Sequence, residues 1–237
     1  MSALKVSIVI PVKDEVESVR ALAEEVEDAF GKVPYGWECL WIDDGSTDGT
    51  TEALAEIAKS DHHRHIRHFR NFGQSAAFFT GFKRAKGEII ATLDGDLQND
   101  PQDLPPMIEK LQPGIADMVN GVRQKRRDSF VRKASSKIAN GFRNWVTGDK
   151  VTDVGCSVRV FYKRCVENIP LWKGMHRFMP TLVKAQGYKV IETQVSHRPR
   201  KFGETKYGIH NRLWVGLLDT FGVRWYLWRR VHPEVEE

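Results

Sequence analysis

The first half of the chain alternates short apolar runs with amphipathic segments, and that rhythm most restricts what it can fold into. "LKVSIVI", "WECLWI", "HIRHF" and "EIIATL" read as strands. Between them, Val16, Val19, Ala23, Val26 and Phe30 share one helical stripe. Ala53, Leu54, Ile57 and Ala58 share a second, and Ala77, Phe78, Phe82 and Ala85 a third. Asp14 followed by Glu17 supplies a capping signal for the first of these helices. A short helix from Pro101 to Leu111 and a strand at "ADMVNGV" continue the series. Alternation with short links predicts an α/β fold, a Rossmann-like, mostly parallel sheet flanked by helices on both faces.

The second half is less regular. A basic amphipathic helix is predicted from Asp128 to Val146, with Val131, Ala134, Ile138, Phe142 and Trp145 inward. "CSVRVFY" and "YKVIETQV" read as strands, and "HRPRKFGETKYG" as a basic, turn-rich loop. The reading is one domain over 1–208 and an amphipathic helical extension over 209–237.

Open parallel sheets bind ligands beyond the carboxyl ends of their strands. Three polar clusters fall there: "PVKDE" after strand one, "DDGSTD" after strand two and "DGDLQND" after strand four. A nicotinamide fold needs a glycine fingerprint after strand one, where "IPVKDEVESV" has no glycine, and no P-loop pattern occurs. A metal is the remaining way to neutralise a nucleotide's phosphates. Asp94 and Asp96 point the same way on an extended backbone, and Gly95 lets the chain bend between them. With the Gln98 amide oxygen they suit Mg2+ or Mn2+ that keeps sites for diphosphate oxygens.

Composition sets the limits on other readings. The 237 residues are 41% hydrophobic and 28% charged, which is globular, and the net charge of +5 favours an anionic partner. Cys39, Cys156 and Cys165 have no metal-ligand spacing and fit reduced thiols. The N-terminus enters a strand directly, without the pattern of a signal peptide, and no run approaches the ~18 apolar residues that span a bilayer. A soluble or surface-bound protein is expected.

Four ordered motifs, "VSIVIPVKDE", "WIDDGSTDGT", "RNFGQSAAFFTGFKRAKGEIIATLDGDLQNDP" and "HRPRKFGETKYG", together resemble the family 2 glycosyltransferases of GT-A fold. The nearer likeness is to the branch of dolichyl-phosphate mannose synthase and bacterial polyprenyl-phosphate glycosyltransferases, and it covers most of the chain. The resemblance implies inverting transfer from a nucleoside-diphosphate sugar to a polyprenyl phosphate at the cytoplasmic membrane face, in the service of envelope glycans. By the same resemblance, Pro11, Glu15 and Asp44 match the nucleoside pocket, and Asp94, Asp96 and Gln98 the metal and diphosphate ligands. Arg123, Arg132 and Ser136 match positions that handle acceptor or donor phosphates. Asp153 sits where relatives carry a carboxylate proposed as base. His197, Arg198, Arg200, Thr205 and Lys206 belong to the acceptor loop, with Thr205 where serine is commoner. Many relatives continue into transmembrane helices, whereas this sequence ends at "RVHPEVEE", which leaves room for a membrane-protein partner.

The implied chemistry agrees with the residues. A lipid phosphate with a second pKa near ~6 is largely deprotonated at neutral pH, so it needs little general base. The task is to cancel repulsion between two anions, with a metal on one and arginines on the other. Asp153 is then either a base or an orienting group. A glycan or protein acceptor, or a non-catalytic anion- or membrane-binding module, are the rival readings.

Other clusters have plainer explanations. The basic stretch around Arg123 to Lys137 lacks an aromatic stacking platform, so no nucleic-acid partner is expected. His62, His63, His65 and His68 match no closed zinc spacing, and Cys156 has no base partner in sequence. In the last segment, Ile209, Leu213, Leu217, Phe221, Trp225 and Trp228 fall on one helical stripe, with Arg212, Arg224, Arg229 and Arg230 around it. Such a helix suits a membrane interface, packing on the domain, or a dimer contact.

Overall fold

The computed structural model describes residues 4–124, 140–199 and 209–231. They form two compact units, one of Met1–Arg126 with Asp153–Glu204, the other of Arg127–Thr152 with Thr205–Glu237.

The first unit is built on a seven-stranded sheet. Strands β1 (Leu4–Val12), β2 (Gly36–Asp43), β3 (His63–Arg67) and β4 (Ile89–Thr92) come from the alternating half. β5 (Met118–Arg123), β6 (Arg159–Tyr162) and β7 (Val190–Val195) complete it, in the order β3-β2-β1-β4-β6-β5-β7. All neighbours are parallel except β6, which runs against both β4 and β5. The mostly parallel sheet is therefore as expected.

Helices cover both faces: α1 (Val19–Phe30), α2 (Thr50–Ile57), α3 (Gln74–Arg84), α4 (Leu104–Glu109) and, later, α6 (Met179–Ala185). β1 is buried on both sides, which is why its apolar run is nearly unbroken. Val6, Ile8 and Ile10 join Val19, Leu22, Val26 and Phe30 of α1 in one core. Val9 points the other way, against Gly81 of α3. Each such side chain contributes about 1.5–3 kcal/mol relative to exposure.

Two local expectations are revised. Asp14 does not cap α1; it adopts a left-handed φ of 51° and joins the next turn, its N–H donating to Ser46 Oγ and its carboxylate accepting from Thr47 N–H. Helix α1 starts only at Val19, and Val16 is exposed. The third strand lies two residues earlier than "HIRHF", so Phe69 falls beyond it, fully exposed.

In the second unit, residues 140–147 are helical (α5) and α7 spans Ile209–Arg229. The rest of the helix expected over 128–146 lies outside the described residues. Phe142 meets Phe221 edge-on, with ring centroids 6.1 Å apart, so α5 and α7 pack together. Residues 127–152 group with the C-terminal segment, whereas the sequence reading drew one boundary after 208. Trp145, expected inward, is exposed. On α7, Thr220 and Val223 are buried, whereas Val215, Leu218, Phe221, Trp225 and Trp228 are exposed. Val215, Leu218, Trp225 and Trp228 thus face outward, while Phe221, half-exposed, meets Phe142. Among the described residues, no helix is long and apolar enough to cross a membrane.

Candidate active site

Strand direction gathers the chemistry on one edge of the sheet. β1, β2, β4, β5 and β7 all end on the same side, and antiparallel β6 begins there. Pro11, Asp44, Asp94, Asp96, Gln98, Arg123, Asp153, His197 and Arg198 all lie at or just beyond those ends. Arg132, Ser136, Arg200, Thr205 and Lys206 lie outside the described residues.

The acidic turn leaves β4 directly. A Cβ at Gly95 would come within 2.5 Å of Val12 Cγ1 and 3.3 Å of Pro11 O, so this glycine permits close approach to β1. Space, rather than a special bend, is the reason for it. Leu97 has a left-handed φ of 59°, uncommon for a residue with a side chain. Asp96 is buried and its Oδ1 accepts the Gln98 N–H at 3.2 Å. Gln74, at the start of α3, donates from Nε2 to Asp94 Oδ1 at 2.8 Å.

Burial and the neighbouring Asp96 push the Asp94 carboxyl up to about 6, against opposing pulls from Ser157, Arg123 and Arg159. Two acids held this close carry excess negative charge, which a hard divalent cation would relieve. The donor set fits Mg2+ or Mn2+ with only two protein carboxylates. Among the described residues, no cluster of three or more His, Cys, Asp and Glu side chains could hold a metal by itself. The remaining coordination sites suit oxygens of a ligand.

The turn after β2 is fixed by Asp44. Its Oδ1 accepts from His68 Nδ1 at 2.8 Å and Phe72 N–H at 2.9 Å, and its Oδ2 from Gly73 N–H at 2.7 Å. Gly45, with φ 72°, lies so close to the next loop that a Cβ there would stand 2.6 Å from the Arg70 carbonyl carbon. Pro11 is buried in β1 beside Ile42. Glu15 is half-buried, its N–H donating to Thr50 Oγ1 and its Oε2 accepting from Ser18 Oγ.

On the other side, Arg123 ends β5 and faces Asp153. Its Nε and Nη2 donate to the two Asp153 oxygens at 2.7 Å each, and its backbone N–H adds a contact at 3.3 Å. Gly155 N–H also donates to Asp153 Oδ1, at 3.2 Å. A carboxylate engaged this fully holds the guanidinium in one orientation.

After β7 the chain crosses the acidic turn. Arg198 N–H donates to Gln98 O at 2.8 Å, and its guanidinium engages both oxygens of Glu25 at 2.8 Å and also Asp100. Arg198 therefore anchors the start of the basic loop, with half-buried His197 beside it.

Three contributors were missed in the sequence: Gln74, Glu25 and Arg159. Arg159 left one clue, a charge inside the otherwise apolar run "CSVRVFY". The histidine cluster is structural: His62 stacks on Trp37 at 4.3 Å, and His63 bridges Trp41 Nε1 and Glu27. Burial pushes the Cys156 thiol up to about 11, which suits a packed side chain rather than a nucleophile.

Residues 7–169 match the model of glycosyl transferase family 2. The chain is 37% identical over 98% of its length to dodecaprenyl-phosphate galacturonate synthase of Rhizobium johnstonii, covering 70% of that protein. It is 36% identical over 86% of its length to undecaprenyl-phosphate 4-deoxy-4-formamido-L-arabinose transferase of Aeromonas hydrophila, covering 63% of that relative. Among solved structures, glucosyl-3-phosphoglycerate synthase from Mycobacterium tuberculosis, in complex with Mn2+, UDP and glucosyl-3-phosphoglycerate, superposes with a TM-score of 0.70. That match is 14% identical and covers 93% of this chain and 79% of the other, a likeness of fold. The same synthase has also been solved with Mg2+ and UDP.

Proposed function

The chain belongs to glycosyl transferase family 2, and on that premise we propose that it moves a sugar from a nucleoside-diphosphate sugar to a polyprenyl phosphate, inverting the anomeric carbon. The observation that carries the reading is the meeting, on one sheet edge, of the Asp94–Asp96 pair with the Arg123–Asp153 pair. One pair suits the donor's diphosphate through a cation, and the other suits an anionic acceptor. The two relatives above, both named for sugar transfer onto polyprenyl phosphates, support the acceptor class.

In this reading Asp94, Asp96 and Gln98 would hold Mg2+ or Mn2+, which when bound neutralises the diphosphate leaving group. Pro11, Glu15 and Asp44 shape the nucleoside pocket. Arg123, kept in register by Asp153, steers the lipid phosphate. Its oxygen attacks the sugar's anomeric carbon as the bond to the diphosphate breaks, and the leaving nucleotide takes the electron pair. The acceptor arrives ionised, so no base is required. Arg132, Ser136, His197, Arg200, Thr205 and Lys206 complete the acceptor side, with Arg198 as its anchor.

The outward stripe of α7, with Trp225 and Trp228 exposed beside Arg224 and Arg229, supports docking on an anionic membrane surface. The enzyme would then work peripherally on the cytoplasmic face. The test is a panel of GDP-mannose and UDP-sugars with Mg2+ or Mn2+, offered undecaprenyl phosphate or soluble glycans. Metal-dependent lipid-linked product is expected. Label appearing only in glycans moves the acceptor class, and no transfer with any donor overturns the reading.

A further inference from the structure

Arg159 is a buried cation that the acid–arginine layout does not use. It sits in antiparallel β6 directly between Thr92 of β4 and Asn120 of β5, and is 3% exposed. Its guanidinium donates from Nε to Asn120 Oδ1 at 3.0 Å, from Nη1 to His176 O at 2.9 Å and from Nη2 to Val154 O at 3.0 Å. All three acceptors are neutral. Among the described residues, no carboxylate lies within ion-pairing distance of it. A buried charge without a contact ion pair is costly, and hydrogen bonds to carbonyls offset only part of that cost.

Its three contacts lead to both halves of the site. Val154 follows Asp153, which grips Arg123. The His176 ring hydrogen-bonds Ser75 Oγ at 2.8 Å, and Ser75 adjoins Gln74, which holds Asp94. The field of the guanidinium also reaches Asp94 and Asp153: it opposes the rise of the Asp94 pKa, and both carboxylates counter the fall that burial imposes on its own.

We infer that Arg159 is a positioning residue that joins the donor and acceptor halves of the site and holds a fixed positive charge beneath them for the anions that bind there. The inference rests on the transferase reading above. Its charge has a signed consequence. A fixed cation favours a bound diphosphate and disfavours a bound metal ion, so removing it moves the two affinities in opposite directions.

The experiment compares the full-length chain with Arg159→Gln and Arg159→Lys. Mn2+ binding alone is followed by the paramagnetic resonance signal of free Mn2+, and UDP and GDP binding at saturating Mn2+ by calorimetry. In Arg159→Gln, Mn2+ alone should bind a few-fold tighter, while the nucleotide that wild type prefers should bind roughly tenfold weaker. Arg159→Lys should keep Mn2+ affinity within about threefold of wild type and weaken nucleotide binding less than Arg159→Gln does, because the charge remains while the three-way hydrogen bonding is lost. Parallel weakening of Mn2+ and nucleotide in Arg159→Gln would reduce Arg159 to a packing residue, and unchanged affinities would overturn the inference outright. Should Arg159→Gln lose its cooperative melt, Arg159→Lys decides: Mn2+ affinity near that of wild type supports the charge role, and loss of both affinities overturns it. Wild type that binds neither nucleotide would instead refute the transferase reading itself.

Discussion

Asp153 holds Arg123 by both oxygens, each 2.7 Å from a guanidinium nitrogen, across a gap of 30 residues in sequence. A carboxylate occupied in this way orients its partner. Replacing Asp153 with Asn should therefore lower kcat by about ten- to a hundredfold and leave the shape of the pH–rate profile unchanged. A general base would behave differently, and loss of an acidic limb from the profile would assign Asp153 to proton transfer.

Asp96→Asn should abolish turnover, by at least ~10³-fold, because one of the two carboxylates proposed to hold the cation becomes a weak neutral ligand. The fold should survive, since the substitution also removes a repulsive charge beside Asp94. A thermal melt and a transfer assay check the two halves of this expectation separately. An active Asp96→Asn enzyme would refute the metal assignment.

Gly45→Ala should destabilise the protein by roughly 2–4 kcal/mol, through a left-handed φ of 72° and a Cβ 2.6 Å from the Arg70 carbonyl carbon. Urea unfolding measures this. A change within about 0.5 kcal/mol would mean that the loop after β3 moves freely away from the "DDG" turn.

The His176 imidazole is held down to about 3 by burial, with Arg177 and Arg159 adding to the effect. Its folded pKa lies below the ordinary value near 6.5, so the unfolded chain binds the proton first. The stability linked to His176 is complete above pH 6.5 and falls toward pH 3, by up to about 1.4 kcal/mol per pH unit. Urea midpoints at pH 7 and pH 5 should diverge in wild type and converge in His176→Asn. An equal slope in both would place the pH dependence elsewhere.

The doubly substituted Trp225→Ser, Trp228→Ser chain should lose roughly tenfold or more in affinity for phosphatidylglycerol vesicles in a sedimentation assay. Its melting temperature should hardly change, because both tryptophans are exposed. If vesicle binding persists at full strength, the stripe on α7 is not the membrane contact.

Most of the layout was legible in the sequence for a plain reason. Apolar runs buried on both faces, joined by 3.6-period helices, specify a parallel sheet, and a parallel sheet delivers its strand-end residues to one side. Asp94 and Asp96 could be found that way. The reversal of β6 could not, because nothing local in "CSVRVFY" states which way a strand runs. Partnerships across long gaps were equally hidden: Asp153 with Arg123, Arg198 with Glu25, and Asp44 with the backbone of Phe72 and Gly73. Periodicity also misjudged Trp145, because one stripe of an amphipathic helix does not say which neighbour it meets.

The lone reversed strand has an evolutionary corollary. Since β5 finishes and β6 starts on the same rim, the 35 residues from Gln124 to Val158 leave and re-enter the scaffold through neighbouring doors. Both ends of that excursion are tied to the sheet: Gln124 N–H donates to Val195 O at 3.0 Å and Gly121 N–H to Val158 O at 2.9 Å. On the transferase reading proposed above, a lineage could exchange one recipient molecule for another by editing the middle of that detour, provided Asp153, which grips Arg123, and Ser157, which tempers Asp94, stay in place.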